Sequence, residues 1–200
     1  MMRDLLYVLI GYICGSILFE RVAERFFGKE DITENAPDHN PGAANAFRYG
    51  GFSHGVMTLA GDVLKGFVPV FLYIRGGGGA VLGLVMAAPV IGHVFPVLFG
   101  FRGGKGIAVT FGCLLGLLPD YLAVVILAAM FIFFSVVVRI SPNYYRTLVT
   151  YLCTEIAVLV FSESPQVQIG FSLIFAVVSV RLLASREKKT PFEVNLLWMR

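Results

Sequence analysis

Ser53-His54-Gly55-Val56-Met57-Thr58-Leu59-Ala60-Gly61-Asp62-Val63-Leu64-Lys65-Gly66-Phe67-Val68-Pro69-Val70-Phe71-Leu72-Tyr73-Ile74 is a run long enough to cross the roughly 30 Å hydrocarbon core of a bilayer as one helix. Its only formal charges are Asp62 and Lys65. Three residues apart on a helix, they share a face and can neutralise each other. An unpaired charge at that depth costs about 3 kcal/mol on insertion scales, so either a functional site or a buried structural pair is expected here. The residues themselves leave those two readings open.

Four further apolar stretches, Leu5 to Phe19, Ala80 to Phe99, Tyr121 to Val138 and Val167 to Ala184, approach the same length, and Thr147 to Phe161 is slightly short. Ile107 to Leu118 is shorter still and reads either as a crossing completed by its Gly-rich flank or as a re-entrant segment. The 200 residues are 57% hydrophobic and 14% charged. Mean hydropathy is +0.79, and ordinary soluble domains are only about 45–50% apolar. The expected fold is therefore all-α: a polytopic integral membrane helical bundle of seven, or six, transmembrane helices, forming one membrane domain over residues 1–200. No small-residue cleavage pattern follows the first apolar segment, and Glu20 to Glu30 is a charged amphipathic run, so that segment reads as part of the bundle and not as a secretory signal. Cys14, Cys113 and Cys153 lie in apolar segments without metal or disulfide spacing.

Basic residues near span ends stay on the cytoplasmic side, which tests a threading. With the N-terminus outside and seven crossings, the inside loops hold Arg21, Arg25, Lys29, Arg48, Arg102, Lys105, Arg139, Arg146, Arg186, Lys188, Lys189 and Arg200. The outside holds only Arg3 and Arg75. Removing the Ile107 to Leu118 crossing would send the later basic loops outside, so the bias favours seven. The C-terminus and the conspicuous polar loops are then cytoplasmic.

The longest polar loop contains Asp38-His39-Asn40-Pro41-Gly42-Ala43-Ala44-Asn45-Ala46-Phe47-Arg48. Small residues bring its backbone close to a partner, while two amides and an arginine can hydrogen-bond phosphate or hydroxyl oxygens. For any one of these residues a hydrated turn is the better reading, but the density of the cluster between two spans weakens it. A second cluster runs from Gly92-His93 through Phe95-Pro96 to Gly103-Gly104-Lys105-Gly106. Its glycines permit a nest of inward N–H groups, and Lys105 adds a full charge suited to an anion. It is not a nucleotide-binding P-loop, because Phe99 stands where that pattern needs glycine and Gly106 where it needs Ser or Thr. A lone histidine in an apolar helix is usually a packing residue, but His93 lies close to the glycine turn. Gly51-Phe52-Ser53-His54-Gly55 matches a hydrolase nucleophile pattern that has meaning only at a strand-to-helix elbow. Opening a span, Ser53 and His54 are expected to cap the helix and face the headgroups.

The three clusters, in this order, resemble the bacterial acyl-phosphate-dependent glycerol-3-phosphate acyltransferases, and the resemblance runs from Gly15-Ser16 to about Thr110. It rests on Asn40, Gly42, Asn45 and Arg48; on Gly61-Asp62-x-x-Lys65-Gly66; and on Gly92-His93 with Gly103-Gly104-Lys105-Gly106. The resemblance implies a membrane enzyme of phospholipid synthesis, in the bacterial cell (inner) membrane. It would move a fatty acyl group from acyl phosphate to the 1-hydroxyl of glycerol 3-phosphate, without cofactor or metal and without a nucleic-acid partner. It implies Asn40, Asn45, Arg48, His93 and Lys105 as catalytic residues. Gly42, Asp62, Lys65, Gly103, Gly104, Gly106, Arg139, Ser141 and Arg186 would bind substrate or phosphate, beside membrane lipids. No histidine here is followed five positions later by Asp, the arrangement of the other major glycerolipid acyltransferase family.

The chain also departs from the pattern it resembles. Asp38-His39 precedes Asn40 where the family usually has Ser-Gly, and Ala44 replaces a Thr. Arg139-Ile140-Ser141-Pro142 stands for Arg-Tyr-Val-Ser, and Ser185-Arg186-Glu187-Lys188 for His-Arg-Glu-Asn. A small anion or lipid transporter and an inactive lipid-binding relative are the competing readings. The absence of internal repeats counts against the transporter, and the departures favour the inactive relative.

Overall fold

The apolar stretches become helices in the computed structural model, which describes residues 2–28, 32–36, 38–185 and 191–197. Helix α1 (Met2–Gly15) bends by 43° into the amphipathic α2 (Phe19–Phe27). The first polar loop holds the short α3 (Ile32–Asn35) and α4 (Ala43–Asn45), and a π-helical turn, Ala46–Gly50, leads into α5 (Phe52–Arg75). Next come α6 (Leu82–Val94), α7 (Ile107–Leu115) and α8 (Leu122–Ile132) with a π-helical end, Phe133–Val137. A strand β1 (Val138–Ser141) precedes α9 (Asn143–Phe161), α10 (Pro165–Leu183) and a second strand, β2 (Glu193–Leu196).

Among the described residues four helical segments are long and apolar enough to cross a membrane: α5, Leu82–Phe99, α9 and α10. The bent α1–α2 pair makes a fifth if it counts as one span. At nine residues α7 rises only about 13 Å. Helix length therefore gives four to five crossings, and α7 is too short to cross alone.

Two small strands add to the expected all-α bundle. They pair antiparallel, with Val138 opposite Leu196 and Ser141 opposite Glu193. Val138 and Ile140 suit a strand, but a four-residue strand forms only with a partner, and this one lies far down the chain. Ser53 and His54 also differ from expectation. Gly51 is the N-cap of α5, without a side-chain cap, and Ser53 is exposed. His54 turns inward, 1% exposed, with its ring 5.9 Å from that of Phe27.

Helix α5 is central, packing on α7, α2, α1 and α6, while α6 packs on α1 and α10. The α5–α7 contact depends on missing side chains. A Cβ on Gly66 would run into the Val109 carbonyl oxygen, and one on Gly112 into that of Val63. Close backbone approach through small residues is how helices gain van der Waals contact in lipid. Large apolar side chains such as Leu64, Leu72, Val125, Ile156 and Val180 point outward instead. Such a belt is a liability in water and the natural surface against acyl chains.

The two ends of the bundle differ. At one, the Arg3 guanidinium donates to the carbonyls of Gly76 and Gly78, and the Tyr73 hydroxyl donates to Asp4 Oδ1 at 3.0 Å. These bonds pin the glycine turn between α5 and α6. The other end gathers the long polar loop, the glycine-rich turn before α7, and the start of α9.

Candidate active site

The charged pair inside α5 is buried and has a third member. Lys65 Nζ stands 2.7 Å from Asp62 Oδ1 and 2.8 Å from His93 Nδ1, and it donates to the Ile17 carbonyl at 2.6 Å. Asp62, Lys65 and His93 are only 2%, 5% and 4% exposed. The lysine thus ties the C-terminus of α1, the middle of α5 and the end of α6 together. Asp62 and His93 still reach the wall of the cavity above them. The pair is thus buried and structural, and Asp62 and His93 also line a cavity.

The glycine turn lies directly on His93. Gly104 N–H donates to the His93 carbonyl at 3.1 Å. A Cβ on Gly104 would meet the His93 ring on one side and the Pro41 carbonyl on the other, so only glycine lets the second cluster pass between the first loop and α6. From α10, Arg181 donates to the carbonyls of Gly103 at 2.7 Å and Gly104 at 3.2 Å. Gly106, at φ +82°, then turns the chain into α7. This packing fixes the backbone that carries Lys105.

Lys105 meets the first loop through an acid. Its Nζ stands 3.0 Å from Asp38 Oδ2, and Asp38 Oδ1 accepts from the Asn45 amide at 2.8 Å and the Asn40 backbone N–H at 3.3 Å. The Asn45 amide also donates to the Asn40 carbonyl at 2.9 Å, closing the loop on itself. Burial by itself would raise the Asp38 pKa, but the Asn45 amide and the Lys105 charge outweigh it and hold the carboxyl below its ordinary range. Asp38 is therefore an anion at neutral pH, inside a pocket expected to bind anions.

A cavity of about 670 Å³ opens beside this pair. One part of its lining is polar and cationic, with Asn40, Gly42, Asn45, Arg48, Lys105 and Gly106. The rest includes the apolar Leu59, Ile107, Phe111 and Phe131, with the Phe111 and Phe131 rings 6.0 Å apart. Of the residues singled out in the sequence, Asn40, Gly42, Asn45, Arg48, Asp62, His93, Lys105 and Gly106 meet here. Lys65 lies beneath the wall, and Gly104 under Lys105. Gly103 lines a second cavity of about 920 Å³ on the far side of Asp38, which borders both. Arg139 and Ser141 are exposed on β1 and line neither cavity. Arg186 lies outside the described residues. Among the described residues, no group of three His, Cys, Asp or Glu side chains is placed to hold a metal ion.

Among the lining residues that the sequence did not single out are Asn143 and Arg146 at the head of α9. Arg146 Nη2 donates to Asn143 Oδ1 at 2.6 Å. Their i, i+3 spacing was visible, but at a span boundary a lone arginine reads as a topology signal. Asp38 was visible only as a departure from the resembled loop.

The sequence profile of the glycerol-3-phosphate acyltransferase family matches residues 5–190. The glycerol-3-phosphate acyltransferase of Shewanella baltica is 41% identical over 128 residues, covering 64% of this chain and 62% of the relative. That of Legionella pneumophila is 42% identical over 109 residues, 54% of this chain and 39% of the relative. The chain thus spans under two thirds of the length of the curated relatives it matches. Among solved structures, PlsY (YgiH), an integral membrane glycerol 3-phosphate acyltransferase, is similar in both its lysophosphatidic acid and glycerol 3-phosphate forms. The first gives a TM-score of 0.75 at 27% identity, covering 90% of this chain and 87% of that one. The second gives 0.76 at 28%, covering 90% and 88%. With four long apolar helical segments among the described residues, the chain is a multi-pass integral membrane protein, and it belongs to the glycerol-3-phosphate acyltransferase family.

Proposed function

We propose that this protein transfers a fatty acyl group from acyl phosphate to the 1-hydroxyl of glycerol 3-phosphate, forming lysophosphatidate and inorganic phosphate. The observation that carries this reading is the single cavity with both a cationic, amide-rich lining and an aromatic, aliphatic one. A phosphate ester and an acyl chain fit side by side there. The glycerol 3-phosphate and lysophosphatidic acid forms of PlsY support the same pair of ligands.

Acyl phosphate is an activated mixed anhydride, so no protein nucleophile is needed. The 1-hydroxyl oxygen attacks the acyl carbonyl carbon, the bond from that carbon to the phosphate oxygen breaks, and the hydroxyl proton passes to a phosphate oxygen. Arg48 and Lys105 neutralise phosphate charge, while Asn40 and Asn45 orient the acceptor. Gly42 and the Gly103 to Gly106 turn let the backbone approach it. His93, held by Lys65 and Asp62, supports the turn from below.

The same reading has seven passes in the cell membrane, with the N-terminus outside and the C-terminus and cavity on the cytoplasmic side. The distribution of basic residues and the gathering of the polar loops at one end support it. The test is purified protein in detergent with palmitoyl phosphate and labelled glycerol 3-phosphate. Labelled lysophosphatidate is expected, with little from palmitoyl-CoA. Absence of product, or preference for the CoA ester, would refute the proposal.

A further inference from the structure

The reaction above places two phosphate-bearing substrates in one cavity, each carrying up to about two negative charges. Among the described residues, the cations of the resembled motifs that line this cavity are Arg48 and Lys105, but Asp38 sits 3.0 Å from Lys105 and cancels much of its charge. Asp62 is matched by Lys65 below the floor. By that count the lining would hold about one uncompensated positive charge. Arg146 supplies another.

Its setting is that of a ligand-binding guanidinium. Asn143 Oδ1 fixes Nη2 at 2.6 Å. The Arg146 Nε is buried and makes no hydrogen bond among the described residues. A buried guanidinium N–H without an acceptor is unfavourable, and phosphate oxygens match its planar fork. The location separates the two substrates. Lys105, Asn45 and Asn40 gather around Asp38 on the loop side. Arg146 instead belongs to the α9 wall, where Thr147 also lines the cavity. One turn on, the Tyr151 ring packs 6.1 Å from Phe131, which continues to Phe111. Through Tyr151, α9 thus adjoins the apolar part of the lining that Phe131 and Phe111 supply, and the phosphate of an acyl phosphate is joined directly to the acyl group.

We propose that Arg146, held by Asn143, binds the phosphate of the acyl donor, while the Asp38–Lys105 loop binds the acceptor. The assignment rests on the acyl-transfer reading and gives a donor-specific role to a residue outside the resembled motifs. A guanidinium fork that is lost costs donor affinity, not acceptor affinity.

The test is steady-state kinetics of detergent-purified wild type, Arg146→Met and Arg146→Lys, varying palmitoyl phosphate and glycerol 3-phosphate separately, with inorganic phosphate as inhibitor. Arg146→Met should raise KM for palmitoyl phosphate about tenfold or more, and leave KM for glycerol 3-phosphate within about twofold. Inhibition by inorganic phosphate should weaken by a similar factor. Arg146→Lys keeps the charge without the fork and should recover only part of the donor affinity, which preserves the test if the methionine variant does not fold. A rise in both KM values together, a rise confined to glycerol 3-phosphate, or no change in an active, folded variant overturns the assignment alone. Wild type that forms no lysophosphatidate overturns the acyl-transfer reading, and this assignment with it.

Discussion

Asp38 and Lys105 show how one side chain alters a site. Lys105→Ala should reduce turnover about 10²-fold or more while the bundle stays folded, because its charge holds the acceptor's phosphate in place for attack. Ser53→Ala, at an exposed position at the start of α5, should leave turnover unchanged; the opposite pattern would indicate a serine acyl-enzyme. Asp38→Asn keeps a hydrogen-bond acceptor for Asn45 but frees Lys105 from its counter-charge. It should lower KM for glycerol 3-phosphate about threefold or more at low salt, with the gain shrinking as salt rises. Stability carries the matching signature. The folded Asp38 pKa lies below its unfolded value, so its contribution is fully present above the unfolded value and fades as the pH falls through the folded one. Thermal melts of wild type and Asp38→Asn should therefore converge only on the acid side of the ordinary carboxylate range.

Helices α5 and α7 carry their own prediction. Their contact runs through Gly66 and Gly112, and α7 begins just after Lys105, so the seating of α7 sets where that lysine stands. Gly66→Ala should destabilise the protein by about 1–3 kcal/mol through overpacking, and should lower turnover as α7 shifts. Leu64→Ala, outward-facing on the same helix, should change melting much less. Equal melting temperatures for the two variants in detergent would show that the close approach is not needed. The glycines of Gly61-Asp62-Val63-Leu64-Lys65-Gly66 were conspicuous in the sequence. That Gly66 admits the Val109 carbonyl was not, since nothing in either helix alone specifies the rotation that brings them together.

The whole bundle predicts a sidedness: a reporter fused after Arg200 should be cytoplasmic, and one inserted within Gly76 to Gly79 external. Both reporters on one side would refute the seven-pass threading. Membrane class, the polar loops and eight of the residues that line the cavity stood out in the chain. Hydropathy is a property of each segment on its own, and clustered glycine, amide and basic residues between apolar runs stand out locally. The two-stranded pairing, the inward turn of His54, the pairing of Asp38 with Lys105, the clamp of Arg181 on the glycine turn and the entry of Arg146 into the site were not legible. Each joins residues distant in sequence through the rotation and crossing of packed helices. Those are set by close contacts spread over the whole bundle, so sequence determined what kind of protein this is and where its polar groups lie, while tertiary packing decided which charges face the cavity and which cancel one another.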